Sequence, residues 1–320
     1  MKKRILAIIT LTLVVVMTFA SCAAGSKITM GTGGTGGTYY AFGAVLGQYV
    51  KNKAGIDCVA VSTDGSKANI QGIDSGDYQL GTVQSDVMAY AWNGTNTFEK
   101  DGKVDSFRVI GGLYAEAVQL ITMDPNIKSV KDLKGKTVSI GAPASGVYFN
   151  AVDVLAAADL TVEDIVPQYQ SFNDSVESLK DGKIDAAFVV AGAPTPAVVD
   201  LMTSKDAYLV PIDGKIAQTI MENCPYYTAY TIPAGTYRGQ ETSVTTITVK
   251  ATLIVSAELD EDTVYNITKA IFDNAKDIEK EHAKGAELSL DNATSGMTAP
   301  FHKGAARYFE EMGVKDLPTA

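Results

Sequence analysis

Residues 31–40 read GTGGTGGTYY and stand between a strand-like run, residues 27–30, and an apolar segment with helical spacing. We call residues 31–37 the glycine loop. Glycine and threonine between a strand and a helix leave backbone N–H groups free at the helix N-terminus, and glycine lacks the Cβ atom that would hold a ligand away. We therefore expect an anionic or polar ligand to bind against this loop.

Residues 1–21 have the pattern of a secretory signal peptide, with basic residues at 2–4 and an apolar run over 5–19 that is short for a membrane span. Residues 19–22 (FASC) are similar to a bacterial lipobox, which implies cleavage before Cys22 and a lipid on its sulfur. We expect the mature chain to be extracytoplasmic, either lipid-anchored to the outer face of the cell membrane or periplasmic. Ordinary signal cleavage, which would leave a soluble exported protein, is the alternative.

The chain of 320 residues is acidic, with a formal net charge of −10. Removal of residues 1–21 takes away three basic residues and no acidic one, which makes the net charge −13. A strongly acidic surface argues against nucleic acid as a partner and against a polybasic membrane patch. The apolar content of 46% indicates a globular chain, and the length favours two lobes over a single core.

Strand-like and helical runs alternate after the glycine loop. The strand-like runs are residues 27–30, 57–62 and 79–83, and the helical runs are residues 40–53, 67–74 and 85–92. This order is typical of βαβ units around a parallel sheet, in which ligands bind at the carboxyl ends of the strands. Polar turns follow the second and third strands, so we expect Thr63, Gln84, Ser85 and Asp86 to lie beside the glycine loop.

A second βα series begins near residue 130 and repeats the arrangement. It consists of a strand at 138–141, a turn at 142–146, a helix at 147–158, a helix at 172–181, a strand at 184–190 and a turn at 191–196. Ser145 and Gly146 stand at a helix start, as the glycine loop does, and Gly192 and Pro194 lie in the later turn. We expect this half to supply an opposing wall.

Extended segments join the two halves, and helices follow them. The predicted extended runs are residues 107–114, 118–123 and 245–256, and the predicted C-terminal helices are residues 262–280 and 299–312.

The candidate ligand-binding residues come from these turns and from the first joining segment. They are Gly34, Thr35, Gly36, Gly37, Thr38, Tyr39, Tyr40, Thr63, Gln84, Ser85, Asp86, Tyr114, Glu116, Ser145, Gly146, Gly192 and Pro194. Ser85, Asp86 and Ser145 have helix capping as an equally good role. Glu116 has two interpretations: it pairs with the ammonium group of an amino-acid ligand, or it is a surface charge near the hinge.

Arginine is scarce after residue 21: Arg108, Arg238 and Arg307 are the three, and none lies in a strand-end turn. A bidentate guanidinium contact to a carboxylate is therefore not evident. Our hypothesis is that neutral donors hold the ligand's negative charge, namely the N–H groups of residues 36–39 and the hydroxyls of Thr35, Thr38 and Ser145.

The glycine loop also satisfies G-x-G-x-x-G, and Asp57 stands about 20 residues beyond it, as in a dinucleotide site. Predicted export argues against a nicotinamide cofactor, and a purely structural turn is the other alternative. There is no Gly-x-Ser-x-Gly motif and no Ser–His–Asp set, and His282 and His302 are too far apart in sequence for a zinc cluster. We predict no cofactor, no metal and no catalysis.

The order of motifs resembles the TAXI family, the solute receptors of tripartite ATP-independent periplasmic (TRAP) transporters. The segments that carry the resemblance are residues 31–40 (GTGGTGGTYY), 80–90 (LGTVQSDVMAY), 130–138 (VKDLKGKTV), 184–194 (IDAAFVVAGAP) and 232–237 (IPAGTY). The resemblance covers residues 28–312. The sequence departs from the family pattern at 144–147 (ASGV), where Val147 replaces a hydroxyl residue, and at 224–227 (CPYY).

This resemblance implies an α/β, two-lobe periplasmic-binding-protein fold of type II, with hinge strands between the lobes. Lobe 1 would be residues 22–116 plus 236–320, and lobe 2 would be residues 117–235. The ligand would be a small carboxylate, either a glutamate-like amino acid or a dicarboxylate, and the partner would be the TRAP membrane permease. The alternatives are a binding lipoprotein of an ATP-driven importer and an exported enzyme on the same fold.

Overall fold

The structure is a computed structural model, and it describes residues 27–319. The predicted signal peptide and the predicted lipidation site, Cys22, lie outside the described residues. Within residues 27–319 no helix is long and apolar enough to cross a membrane.

Strands and helices alternate in the described chain. The strands are β1 (Ile28–Gly31), β2 (Cys58–Val61), β3 (Leu80–Gln84), β4 (Phe107–Thr122), β5 (Thr137–Ser139), β6 (Val166–Gln168), β7 (Ala186–Ala191), β8 (Tyr208–Val210), β9 (Thr228–Ile232) and β10 (Val244–Ser256). The α-helices are α1 (Thr38–Tyr49), α2 (Ser66–Asp74), α3 (Ser85–Asn93), α4 (Val147–Ala157), α5 (Phe172–Lys180), α6 (Pro196–Ser204), α7 (Gly214–Asn223), α8 (Glu261–Phe272), α9 (Ala275–Glu281), α10 (Leu290–Thr294) and α11 (Lys303–Glu311).

The strands form a ten-stranded sheet with the order β2-β1-β3-β10-β4-β7-β5-β6, and β8 and β9 pair with β4 and β10. At one end β1 pairs in parallel with β2 and β3, and at the other β5 pairs in parallel with β6 and β7. The two long strands β4 and β10 run antiparallel to each other between these parallel blocks. Each parallel block therefore has its own edge at which strands end, and β4 and β10 connect the two blocks.

The apolar core divides at the same two strands. One cluster draws on residues 28–114 and 251–309, and two further clusters draw on residues 117–249. Along β4 the change falls between Tyr114 and Ala117, and along β10 it falls between Val249 and Ala251. We call this point, where Tyr114 pairs with Ala251, the crossing. The lobe boundaries stated above stay a prediction.

Three predicted elements differ in the structure. The runs 107–114 and 118–123 are one strand, because residues between them keep their pairing to β10. The helix predicted over 262–280 is two helices, α8 and α9, separated at Asn274, whose side chain donates to the Ala270 carbonyl. The last helix begins only at Lys303, since Phe301 makes bridges to Val109 and Thr319. Each difference has a cause that is distant in sequence or that local propensity does not reveal.

Asn69 on α2 links β3 to the segments that follow β1 and β2. Its Nδ2 donates to the carbonyls of Thr32 and Thr82 at 2.6 and 2.7 Å, its Oδ1 accepts from the Thr63 hydroxyl at 2.7 Å, and it is fully buried. Asn69→Ala leaves two carbonyls without this donor, so we expect a loss of about 2 kcal/mol in the free energy of unfolding. Urea denaturation measures this loss of unfolding free energy, and Asn223→Ala, at an exposed position, is the control. Equal midpoints for the two variants would contradict the expectation.

Candidate functional site

A cavity of about 340 Å³ lies where the glycine loop faces the starts of α4 and α5. Its walls come from both parallel blocks. The lining residues are Gly33, Gly34, Thr35, Gly37, Thr38, Tyr39, Ser62, Thr63, Asp64, Gly65, Ser66, Gln84, Glu116, Ala142, Ser145, Gly146, Val147, Gln170, Ser171, Phe172, Asn173, Val190 and Ala191. Within the part of the chain that the structure describes, no lysine, arginine or histidine lines the cavity.

Five helices begin at residues that line this cavity. Their N-cap residues are Gly37 for α1, Gly65 for α2, Gln84 for α3, Gly146 for α4 and Ser171 for α5. The first four N-caps make no side-chain hydrogen bond to the helix. In α2 the N–H groups of Lys67 and Ala68 donate to the Ala144 carbonyl at 3.2 and 3.4 Å, so the first-turn N–H groups available to other acceptors belong chiefly to the other helices. Each N-terminus carries a partial positive charge. The cavity is therefore suited to an anion although it has no basic side chain.

The two walls touch each other around the cavity. The Thr38 hydroxyl donates to the Gly192 carbonyl at 2.7 Å, the Ala197 N–H donates to the Gly36 carbonyl at 3.0 Å, and Asn173 Nδ2 donates to Thr35 Oγ1 at 3.2 Å. These bonds join the segment after β1 to segments near α5 and α6. The structure is thus in a closed arrangement.

The hydroxyl part of the neutral-donor hypothesis is only partly consistent with these contacts. Thr38 gives its proton to Gly192, and Ser145 gives its proton to the Ala142 carbonyl at 2.8 Å. A hydroxyl has one proton, so neither can donate to a ligand without breaking that bond. Thr35 accepts from Asn173, which leaves its proton available. The donors that remain are chiefly backbone N–H groups.

Glu116 lies on β4 at the crossing and lines the cavity with only 2% of its surface exposed. The interpretation as a surface charge is therefore wrong. Its Oε1 accepts from the Tyr39 hydroxyl at 2.5 Å. Burial raises the pKa of Glu116 well above its usual range, and the Tyr39 hydrogen bond and the Lys284 ammonium only partly oppose this.

The structure brings ten of the seventeen predicted ligand residues to the cavity wall. They are Gly34, Thr35, Gly37, Thr38, Tyr39, Thr63, Gln84, Glu116, Ser145 and Gly146. Outside the wall lie Gly36, Tyr40, Ser85, Asp86, Tyr114, Gly192 and Pro194. Ligand contact by any of the seventeen residues stays a prediction.

Packing explains several of the residues outside the wall. The Ser85 hydroxyl accepts from the Lys250 N–H of β10 at 3.2 Å. Tyr114 is fully buried with its ring edge against Phe42. The Gly192 carbonyl accepts from the Thr38 hydroxyl, and a Cβ added to Gly192 would come within 2.7 Å of Lys284 Cε and 3.0 Å of the Tyr114 ring.

Sequence reasoning missed the wall formed by residues 170–173. Ser171 caps α5 by accepting from the Asp174 N–H at 3.2 Å. Serine followed three residues later by an acidic residue is a readable helix-start signal, and it could have placed this turn at the cavity.

Asp86 lies behind the cavity, where it is fully buried, and burial raises its pKa to about 6. The folded state then holds a proton that the unfolded state releases above pH 4, so this contribution to stability is lost as the pH rises through 6. Between pH 5 and pH 8 we expect wild type to lose about 1.4 kcal/mol of unfolding free energy relative to Asp86→Asn. Urea denaturation at both pH values measures this difference in unfolding free energy, and Asp206→Asn, at an exposed position, is the control. Parallel pH profiles for wild type and Asp86→Asn would contradict it.

Among residues 27–319 there is no group of three or more His, Cys, Asp or Glu side chains arranged to hold a metal ion. The three arginines within residues 27–319 all bind elsewhere. Arg108 donates to the carbonyls of Asp105 and Phe107, Arg238 donates to the Thr203 carbonyl, and Arg307 pairs with Glu261 and Asp262.

Comparison with known proteins gives a family and a fold. The model of the NMT1-like family matches residues 30–313. A solved structure from Bordetella bronchiseptica RB50 aligns with a TM-score of 0.53 and 18% identity, covering 91% of this chain and 90% of that one. The substrate-binding protein of an amino acid ABC transporter aligns with a TM-score of 0.48 and 14% identity, covering 82% and 98%. The ligand-binding core of GluR0 from Nostoc punctiforme, in complex with L-glutamate, aligns with a TM-score of 0.49 and 14% identity, covering 82% and 98%.

The predicted fold class is confirmed: the chain has the α/β, two-lobe periplasmic-binding-protein fold, with β4 and β10 running between its two halves.

Proposed function

The chain belongs to the NMT1-like family, and we propose that it is an extracytoplasmic solute-binding receptor that encloses a small carboxylate between its lobes and delivers it to a TRAP membrane permease. The single observation that carries this proposal is the convergence of five helix N-termini on one cavity between the two walls. The lobes are residues 22–116 plus 236–320 and residues 117–235.

The charge of the cavity supports an anionic ligand. The acidic residues in its wall are Asp64, which is exposed at the edge, and Glu116, whose raised pKa favours the neutral form. Backbone N–H groups at the helix starts then outweigh the acidic side chains. A volume of about 340 Å³ suits a small solute.

The position of Glu116 favours an amino acid over a plain dicarboxylate. An α-ammonium group placed at Glu116 would stabilise the ionised carboxylate and replace the water that burial removes. A ligand carboxylate would at the same time lie against the helix starts. The ligand would thus bridge Glu116 on β4 and the two walls, and binding would favour the closed arrangement.

The motif resemblance supports the TRAP class, and the similarity of residues 19–22 to a lipobox supports a lipid anchor at Cys22. The alternative in the same class of function is a binding lipoprotein of an ATP-driven importer. The two transporters are distinguished by the permease that co-purifies with the receptor or is encoded beside it: TRAP systems have a large polytopic permease and no ATPase.

A thermal-shift screen of amino acids, dicarboxylates and keto acids tests the ligand class. We expect small carboxylates to raise the melting temperature, and mass spectrometry of ligand released from denatured protein to identify one of them. If only sugars or cations raised it, the carboxylate proposal would be rejected. Incubation with each ligand followed by product analysis tests the different-class alternative, an exported enzyme, which predicts turnover.

A further inference from the structure

Asn150 on α4 is fully buried and does not line the cavity. Both the oxygen and the nitrogen of its side-chain amide are hydrogen-bonded. Its Oδ1 accepts from Gln84 Nε2 at 2.8 Å. Its Nδ2 donates to Asp86 Oδ2 at 3.0 Å and to the Tyr227 hydroxyl oxygen at 2.6 Å. The Tyr227 hydroxyl in turn donates to Asp153 Oδ2 at 2.8 Å.

The acceptors around Asn150 fix which way its amide points. Ionised Asp86 can only accept, and Tyr227 has already given its proton to Asp153. Nδ2 of Asn150 must therefore face this pair, which leaves Oδ1 facing Gln84. Gln84 must then turn Nε2 toward Asn150 and Oε1 away from it.

Gln84 Oε1 is consequently a buried acceptor, and it has no hydrogen-bond partner among the described residues. A buried acceptor without a hydrogen bond destabilises the fold by about 1–3 kcal/mol, so buried acceptors are normally paired. Gln84 lines the cavity, and its Oε1 lies directly over Gly146, where an added Cβ would come within 1.4 Å of it. Any larger residue at position 146 would clash with Gln84 Oε1, so this oxygen can lie here only because residue 146 is glycine.

We propose that Asn150 is a positioning residue for ligand recognition, which holds the Gln84 carboxamide so that its oxygen accepts a hydrogen bond from an N–H or O–H group of the ligand. This inference rests on the proposed function. In the proposed lobe division, Gln84 and Asp86 belong to lobe 1, whereas Asn150 and Tyr227 belong to lobe 2. The orientation is therefore set only when the lobes close, and a ligand without a donor leaves Gln84 Oε1 unpaired in the closed state.

Selectivity between two matched probes tests the proposal. L-Glutamate and 2-oxoglutarate share their chain and both carboxylates, but the first has an ammonium donor where the second has a carbonyl acceptor. We expect Asn150→Leu to reduce the ratio of their affinities, measured by calorimetry, about tenfold. Gln84→Leu should reduce it as much, and the double variant should show no further change, because Asn150 acts through Gln84.

Gln119→Leu is the matched control. Gln119 is an equally buried amide, bonded to Thr195 and Tyr237, that does not line the cavity. The Gln119→Leu variant should lower the melting temperature as Asn150→Leu does, and it should leave the ratio of the two ligand affinities unchanged. A ratio within twofold of wild type in Asn150→Leu, or equal loss in Gln119→Leu, would overturn the positioning role.

Side-chain amide NMR of the protein saturated with the ligand that the thermal-shift screen identifies, which favours the closed arrangement, gives a second readout. The signal pair that Gln84→Leu removes identifies the Gln84 Nε2 protons. In Asn150→Leu this pair should move to the positions of solvent-exposed amides, and an unmoved pair would reject the proposal. If neither probe binds wild type, the glutamate-like class of ligand fails, and the NMR result alone decides the role of Asn150.

Discussion

Gly34→Asp is expected to weaken binding of the carboxylate ligand about a thousandfold, or about 4 kcal/mol. Gly34 lines the cavity, and a Cβ built on it meets no atom within 4 Å, so an aspartate side chain enters the cavity without distorting its wall. Its carboxylate would take up N–H groups at the start of α1 that the ligand otherwise uses. Each hydrogen bond to a charged group contributes about 1.5–3 kcal/mol, and repulsion between the two carboxylates adds to the loss.

Gly34→Asn is the control for this prediction, since it has the same size without the charge. We expect it to lose no more than about tenfold in affinity, which corresponds to about 1.4 kcal/mol. Calorimetric titration with the ligand identified by the thermal-shift screen measures both variants. Similar affinities for the Asp and Asn variants would mean that the helix N-termini do not hold the negative charge.

Glu116→Gln is expected to weaken L-glutamate binding about a hundredfold, or about 2.7 kcal/mol, and to change glutarate binding only a few-fold. Glutarate lacks the ammonium group that we assign to Glu116. Burial holds the pKa of Glu116 well above its usual range in the ligand-free protein, so pairing with an ammonium group requires it to lose a proton. Affinity for L-glutamate should therefore rise with pH, by up to about tenfold per unit below that raised pKa, and then level off.

The pH profile of the Gln variant is the internal control, because it should be flat over the same range. Calorimetry in buffers of different ionisation enthalpy would also detect the proton released on binding. The opposite sign, an affinity that falls as pH rises, would show that neutral Glu116 donates to a ligand carboxylate. That outcome would favour a dicarboxylate and reject the amino-acid assignment.

The alternation of strands and helices could be predicted because each run is short and is separated by polar turns of small residues. The glycine loop could be assigned to the cavity for the same reason, since ligands bind where parallel strands end. Thr63 and Gln84 followed from that rule alone. Ser145 and Gly146 followed from the repetition of the same pattern in the second half.

What could not be predicted depends on contacts between distant segments. Asn150 stands within an ordinary helical run, and nothing near it in sequence shows that it bonds to Gln84, Asp86 and Tyr227. The roles of Thr38 and Ser145 were assigned by residue type. Only the structure shows that their protons go to neighbouring carbonyls.

The crossing of β4 and β10 determines which parts of the site move when the lobes open. Both strands pass from one core cluster to the next at the same paired level, Tyr114 with Ala251 and Glu116 with Val249. Residues 115–116 and 249–250 pair only with each other, and a two-stranded stretch tolerates more twist than a wide sheet. Rotation about such an axis displaces atoms in proportion to their distance from it. We therefore expect Glu116 to stay nearly stationary while Thr35 and Asn173 at the edge separate, so that the ammonium end of the proposed ligand would meet a fixed partner before the edges come together.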